Sequence, residues 1–305
     1  MREFDCLIVG AGIAGITAGI YLKRSNLSAL VLDKDAPGGK LNNIHRIDNY
    51  PGVAKIAGPE LAMTLYNQAS ELGVAFDYGA VSEVKKEGDL FHVYTDVDEF
   101  LAKALIIATG IENKKLGVPG EEKYNGKGVS YCATCDGNFF KGKPMVVYGY
   151  KDHAVEDAIY LSSLASEVLL LAPEVLQTTS AHREELLSLP NVTLIEGATL
   201  LEAKGEEKLS SVVYEVGEEK KEFACAGLFQ LYGEKSSSMF LSSLGVNLNK
   251  GYILVDASMA TNVPGLYAAG DVIDKKLRQL VNAAGEASVA ASSAIAYIHS
   301  LKAKK

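Results

Sequence analysis

Residues 4–24 read FDCLIVGAGIAGITAGIYLKR, and the fold is decided there. Phe4 to Val9 is an apolar run suited to a buried strand, Gly10-Ala11-Gly12-Ile13-Ala14-Gly15 is a glycine-rich turn, and a helix-like segment follows through Arg24. The first glycine allows the tight turn, the second lets backbone approach a pyrophosphate, and the third lets helix pack on strand, while the helix N-terminus attracts phosphate charge. Ala29-Leu30-Val31-Leu32 then supplies a second strand ending at Asp33, an acid placed to hydrogen-bond a ribose hydroxyl, with Lys34 beside it. NAD and FAD both use this arrangement, so the motif alone does not choose between them.

Composition narrows the class. A chain of 305 residues with 48% hydrophobic residues is long enough for one large domain or two ordinary ones. The formal charge of −8, with no cluster of Lys and Arg in the body of the chain, argues against a nucleic-acid partner; Lys302, Lys304 and Lys305 read as a solvated tail. No apolar run approaches the roughly 20 residues that span a bilayer. The opening residues, MREFDCLIVGAG, lack the regions of a signal peptide, so a cytoplasmic protein with no membrane partner is expected. Four cysteines are too few for a disulfide scaffold. Cys6 and Cys225 sit in apolar runs and read as buried thiols, whereas Cys132 and Cys135 form a C-x-x-C, which signals redox or metal chemistry.

Cysteines three apart can close a small disulfide ring, and the thiolate of one can be stabilised by its neighbours, as exchange chemistry requires. A zinc site would want a second pair and the chain has no other C-x-x-C, so no metal is expected. Near the C-terminus, Gly265-Leu266-Tyr267-Ala268-Ala269-Gly270-Asp271 reads as a strand ending in Gly-Asp, and Arg278-Gln279-Leu280 opens a small-residue helix expected over 283–298.

With these segments and Ser130-Tyr131-Cys132-Ala133-Thr134-Cys135-Asp136-Gly137, the chain resembles the low-molecular-weight thioredoxin reductases. The resemblance implies FAD in the first site. By it, Gly270 and Asp271 hold the flavin's sugar chain, and Arg278, Gln279 and Leu280 meet the flavin near its ring. Further contacts are implied at Gly39, Lys40 and Leu41, at Asn49, at Val81, and at Ala108, Thr109 and Gly110, joining Gly10, Gly12, Ile13, Ala14, Gly15, Asp33 and Lys34. The family usually has Gln where Lys40 stands; the lysine either brings a cation to the flavin or points into water. The resemblance also implies that Cys135 faces the flavin and takes its electrons, that Cys132 attacks the disulfide of thioredoxin or a thioredoxin-like protein, and that Asp136 manages protons. The plain alternative for Asp136 is a helix cap.

A second nucleotide-type unit follows, with a strand over 144–148, a helix over 154–164 and a strand over 167–171. Family members carry G-x-G-x-x-A at its loop. Here Gly149 and Ala154 fit, but Lys151 stands where the second glycine belongs, filling the place where pyrophosphate meets backbone, although its ammonium could itself meet a phosphate. NADPH users have a His-Arg-Arg cluster after the next strand; this chain reads Ala172-Pro173-Glu174, whose acid repels a 2′-phosphate. At Leu231-Tyr232-Gly233-Glu234-Lys235-Ser236 the family's glycine is kept but the polar pattern after it differs. The expectation is a retained fold with a degraded NADPH site, and electrons from elsewhere. That resembles the NADPH-independent members: the ferredoxin-dependent flavin thioredoxin reductases, or the diflavin-linked oxidoreductases that hold a second FAD in the old site. Tyr148, Tyr150 and Tyr232 could stack on such a ring or fill the space it leaves.

The architecture expected is α/β, two Rossmann-like, three-layer nucleotide-binding domains with the second inserted into the first: 1–113 and 246–305 for FAD, and 114–245 carrying the C-x-x-C. Glu206-Glu207-Lys208 and Glu218-Glu219-Lys220-Lys221 read as solvated hairpin ends around a strand over 209–216. The resemblance implies a homodimer whose inserted domain swivels. Two rival functions stay open: an NADH-dependent reductase using the atypical loop, with Glu174 on the ribose, and a flavin-bound redox-sensing module with the C-x-x-C as switch.

Overall fold

Each strand of the first unit's centre is apolar on both faces because it is covered on both. In β1 (Arg2–Val9), Cys6 and Ile8 pack on one side of the sheet and Leu7 and Val9 on the other, all buried. Each fully buried Ile or Leu of this kind contributes roughly 2 kcal/mol. The computed structural model describes residues 2–44, 46–236 and 238–303, so Lys304 and Lys305 of the expected tail lie outside it. By contacts the chain falls into two compact units, 1–112 with 235–305, and 113–234.

In the first unit β1 leads through the glycine turn to α1 (Ile13–Arg24), then β2 (Ala29–Asp33), α2 (Gly58–Glu71), β3 (Ala75–Tyr78), β4 (Val81–Glu87), β5 (Leu90–Thr95) and β6 (Glu99–Ile107). The sheet order is β3-β2-β1-β6-β5-β4, parallel from β3 to β6 and antiparallel beyond. The chain leaves through β7 (Ile111–Asn113).

The second unit contains β8 (Val129–Ser130), α3 (Ala133–Asp136), β9 (Pro144–Tyr148), α4 (Asp152–Ser162), β10 (Glu167–Ala172), α5 (Ser180–Ser188) and β11 (Val192–Glu196). It continues with β12 (Ala198–Gly205), β13 (Leu209–Val216), β14 (Glu219–Ala224) and β15 (Gly227–Gln230). A parallel sheet runs β11-β10-β9-β15-β8, and β12-β13-β14 form an antiparallel sheet beside it. Both charge runs lie at the exposed turns of that hairpin sheet, as expected. Helix α4 begins two residues before the expected Ala154, because Lys151 takes the extended N-cap conformation and Asp152 already belongs to the first turn.

The chain returns through β16 (Glu234–Ser236), and the first unit ends with β17 (Leu248–Asn249), β18 (Tyr252–Ile253), β19 (Leu266–Ala268) and α6 (Leu280–Ala303). The return falls between Glu234 and Lys235, where the sequence suggested 245/246. A physical reason is visible in the 3-10 turn Met239–Leu244, whose Leu241 is buried with Leu105 and Ile253 in the first unit's core. Strand β19 joins the main sheet beside the far half of β6, with Leu266, Tyr267 and Ala268 opposite Leu105, Ile106 and Ile107. Helix α6 packs on α1 through a face of Ala283, Ala287, Ala290, Ala291 and Ala294. That small-residue face is what the sequence marked as 283–298; the helix runs past it at both ends. Among the described residues no helix is long and apolar enough to cross a membrane.

Candidate functional site

The first unit gathers the segments expected at the cofactor. Gly10 has φ +108°, and a Cβ there would come within 2.3 Å of the Ala108 carbonyl oxygen and 2.9 Å of the Thr109 nitrogen, so the first turn is pressed against the 108–110 loop. A Cβ on Gly15 would lie 1.7 Å from the Gly10 oxygen. Gly12 differs: its backbone is extended (φ −72°, ψ −176°) and a Cβ would meet no protein atom within 4 Å. Space, not conformation, is what glycine preserves there. Helix α1 opens at Gly12 with no side-chain cap and no acid in its first turn, leaving its N-terminus suited to an anion.

Around this point lie the other residues. Gly38 donates its N–H to the Ala11 oxygen at 2.8 Å, and a Cβ on Gly39 would touch the Gly12 Cα at 3.4 Å. Gly270, buried, lies against Ala14, and Leu41, Ile13 and Ala14 are core residues of the same layer. Asp271 faces two ammonium groups, Lys40 at 3.6 Å and Lys275 at 3.7 Å, so Lys40 is turned toward the cradle and does not simply point into water. Asn49 donates to Gln279 at 2.9 Å, just ahead of Leu280 at the start of α6. The Arg278 Nε is buried with no hydrogen-bond partner among the described residues, its guanidinium lying 4.5 Å from the Tyr252 ring centroid. A buried donor of this kind suits a bound polar group.

Two expected residues, Asp33 and Lys34, are already engaged by protein. Asp33 accepts from the Ala11 N–H at 2.6 Å and the Asp35 N–H at 3.0 Å. Lys34 pairs with Glu112 at 2.6 Å, which raises its pKa. Val81 lies just past Gly79, whose N–H bonds the Asp33 oxygen. Gly110 has φ +67° with open space around it. Taken together the cradle fits a dinucleotide.

In the second unit Cys132 and Cys135 form a disulfide with Cα atoms 5.3 Å apart. Cys132 caps the single-turn helix α3, its Sγ accepting from the Cys135 N–H at 3.2 Å. Asp136 ends that turn. It accepts at 2.6 Å from the hydroxyl of Ser130, which also accepts the Cys132 N–H at 3.1 Å. Ser130 is 4% exposed, so one buried hydroxyl ties the carboxylate to the dithiol. Sequence reading passed over Ser130; a hydroxyl directly before the C-x-x-C region was the available signal. It also passed over Glu121, a buried acid bonded to Tyr131, because the Glu121-Glu122-Lys123 run looks like surface. The remaining cysteines are inert: burial pushes Cys225 up to about 12 and raises Cys6 further.

The second nucleotide-type loop has the length of the first but other contents. Lys151 holds the place and conformation of Gly12 (φ −92°, ψ 166°), and a side chain fills what is open space at Gly12. Gly149 is kept for packing, since a Cβ would meet the Leu231 oxygen at 2.6 Å. Asp152 brings negative charge into the first turn of α4, where it bonds the Thr178 hydroxyl and lies 2.8 Å from His182 Nδ1; these contacts lower its pKa and raise that of His182. Arg183, on the helix after Glu174, is taken up by Glu196 in a two-pronged pair at 2.8 and 3.1 Å. Tyr232 stacks on Tyr148 at 5.9 Å and leans on Tyr150 at 6.2 Å, so these rings pack on one another.

The family profile described as pyridine nucleotide-disulphide oxidoreductase matches residues 4–287. The chain belongs to this family. It is 40% identical over 308 residues to thioredoxin reductase of Bacillus subtilis (strain 168), covering 99% of this chain and 96% of that one. The crystal structure of thioredoxin reductase from Streptococcus pyogenes MGAS5005 matches with a TM-score of 0.94 at 37% identity, covering 98% of this chain and 99% of that one. A ferredoxin-flavin thioredoxin reductase from Clostridium acetobutylicum matches with a TM-score of 0.56 at 29% identity, covering 99% and 100%. The protein is therefore a flavin-dependent disulfide oxidoreductase of the thioredoxin reductase type, as its motifs suggested. The narrower expectation, a special likeness to the ferredoxin-dependent members, is not shown by these matches: the ferredoxin-flavin enzyme is the more distant of the two structures. These likenesses also lend no support to the expectation that NADPH does not bind.

Proposed function

We propose that this thioredoxin reductase-type enzyme reduces the disulfide of thioredoxin or a thioredoxin-like protein through Cys132 and Cys135, drawing electrons from a donor other than NADPH, either ferredoxin or a second flavin. The reading is carried by the closed Cys132–Cys135 disulfide beside a carboxylate that a buried hydroxyl holds in place. The donor reading is supported by Lys151 and Asp152, which put a side chain and a negative charge where a dinucleotide's phosphates would need open backbone.

FAD, when bound in the first unit, supplies the two electrons that open the disulfide. Gly10, Gly12, Ile13, Ala14 and Gly15 would hold its diphosphate, Asp33 a ribose, and Asp271 the sugar chain. Arg278, Gln279, Leu280 and Asn49 would lie near the ring, with Gly39, Lys40, Leu41, Ala108, Thr109 and Gly110 lining the cradle and Lys34 and Val81 at its border. In the opened pair the Cys132 thiolate attacks one sulfur of the partner's disulfide, and the partner's other sulfur leaves with a proton managed by Asp136. Cys135, deprotonated in turn, then attacks the Cys132 sulfur and displaces the partner sulfur bonded to it, so the ring closes and the partner departs as a dithiol. The inserted unit would be the pyridine-nucleotide-type domain with its nucleotide site degraded, and the enzyme a homodimer as in the family it resembles.

Ser130→Ala removes the hydroxyl shared by Asp136 and the Cys132 N–H. Turnover of a thioredoxin disulfide should fall about tenfold, the scale of one charge-assisted hydrogen bond, with little change in KM.

Anaerobic titration of the purified protein with NADPH, NADH and reduced ferredoxin, with flavin counted per chain, tests the donor. One flavin per chain, bleached by ferredoxin and by neither nucleotide, is expected for a ferredoxin enzyme, and two flavins for the diflavin type. Rapid bleaching by NADPH overturns the donor reading. Bleaching by NADH alone would favour the second reading, in which the exposed Glu174 after β10 meets a ribose. No thioredoxin turnover with any donor would leave the redox-sensing module.

A further inference from the structure

A single helical turn does not hold its own shape, so the geometry of the dithiol is set by what anchors α3 at its two ends. Behind it, the Gly137–Phe140 turn is pinned: a Cβ on Gly137 would lie 2.7 Å from Leu161, and Phe140 meets Phe229 edge to face at 5.9 Å. In front, β8 contributes only Val129 and Ser130, and Tyr131 stands between that strand and Cys132. The Tyr131 hydroxyl donates to Glu121 Oε1 at 2.8 Å.

Glu121 is an unusual anchor. It is 1% exposed, accepts the Leu116 N–H on Oε1 at 3.1 Å and the Gly117 N–H on Oε2 at 2.7 Å, and makes no ion pair among the described residues. Two of its three donors are backbone groups fixed in one turn; the third is the tyrosine beside the dithiol. A buried carboxylate compensated only by donors holds each of them firmly. Burial, and then the hydrogen bond to Glu121, raise the Tyr131 hydroxyl well above its usual value, so it stays a donor.

We infer that Glu121 and Tyr131 are positioning residues for the dithiol, with the tyrosine hydroxyl tethering the loop ahead of Cys132 so that its sulfur stays within closing reach of Cys135. The inference builds on the dithiol cycling proposed above. When the ring is open, the tether restricts where Cys132 can go and keeps its effective concentration at Cys135 high. Without it the open loop samples more conformations, and the ring is reduced more readily.

The test uses full-length holoenzyme equilibrated with defined mixtures of reduced and oxidised dithiothreitol, the open pair being counted by alkylation and mass. Tyr131→Phe and Glu121→Gln should each shift the equilibrium toward the dithiol by about three- to tenfold. Tyr124→Phe serves as control, since its hydroxyl bonds the Gly205 carbonyl in the same unit away from the loop, and it should shift the equilibrium less than about twofold. Tyr131→Phe removes one oxygen and decides the matter if Glu121→Gln fails to accumulate. An equilibrium unchanged in Tyr131→Phe, or moved equally by Tyr124→Phe, overturns the tether. The equilibrium needs no partner protein, so a wild-type enzyme that fails to reduce thioredoxin would sink the proposed function while this measurement still judged the tether.

Discussion

Cys135→Ser is expected to lower turnover of a partner disulfide by about a thousandfold or more, while the holoenzyme keeps its flavin. With serine there is no second sulfur to close the ring, so a mixed disulfide on Cys132 cannot resolve. Cys132→Ser should be equally disabling, because the attacking thiolate is gone. The fold should tolerate both, as each cysteine is half-buried in a one-turn helix whose anchors are the 137–140 turn and β8. Cys6→Ser and Cys225→Ser supply the contrast. Both thiols are buried with raised pKa values, and their loss should change stability more than turnover. Steady-state reduction of thioredoxin with each variant, beside its visible spectrum, is the measurement. More than about a tenth of wild-type activity in Cys135→Ser would remove the dithiol from the reaction.

Gly12→Ala and Gly15→Ala should fail in different ways. At Gly15 the added methyl would lie 1.7 Å from the Gly10 oxygen, backbone against backbone, and α1 would have to leave the sheet; soluble protein should be lost. At Gly12 the backbone is already extended and the methyl meets no protein atom, so the chain should fold with near-normal melting behaviour. The methyl would instead occupy the approach of a diphosphate to the N-terminus of α1, and FAD affinity should fall about a hundredfold. Melting curves with and without added FAD, together with FAD titration of the apoprotein, separate the two. A Gly12→Ala protein that binds FAD normally would show that the open space is not a ligand's.

Much of this was legible because it is local. The opening turn, Asp33 and the C-x-x-C each carry their chemistry within a few residues, and the run from Phe4 to Val9 could only be a buried strand. The second loop was legible too, since Lys151 in the place of a glycine needs no structure to notice. Relations across the chain stayed hidden. Nothing in the sequence says that Asp271 sits between Lys40 and Lys275, or that Glu121, flanked by another acid and a lysine, is buried under Tyr131. The turn residue Gly245 marks a return point in the sequence, while the packing of Leu241 with the first unit's core, eleven residues past Gln230, is a long-range relation that no local signal carries.

One pairing orders events on the ribosome. Strand β19 completes a sheet begun at Arg2, whereas the strands from Val129 to Gln230 are all made within one continuous stretch. The inner module can mature while the outer one still lacks its last strand, and until then half of β6 presents an unpaired apolar edge. Synthesis halted between Gln230 and Leu266 should yield a chain whose inserted unit is finished and whose first unit is sticky and chaperone-dependent.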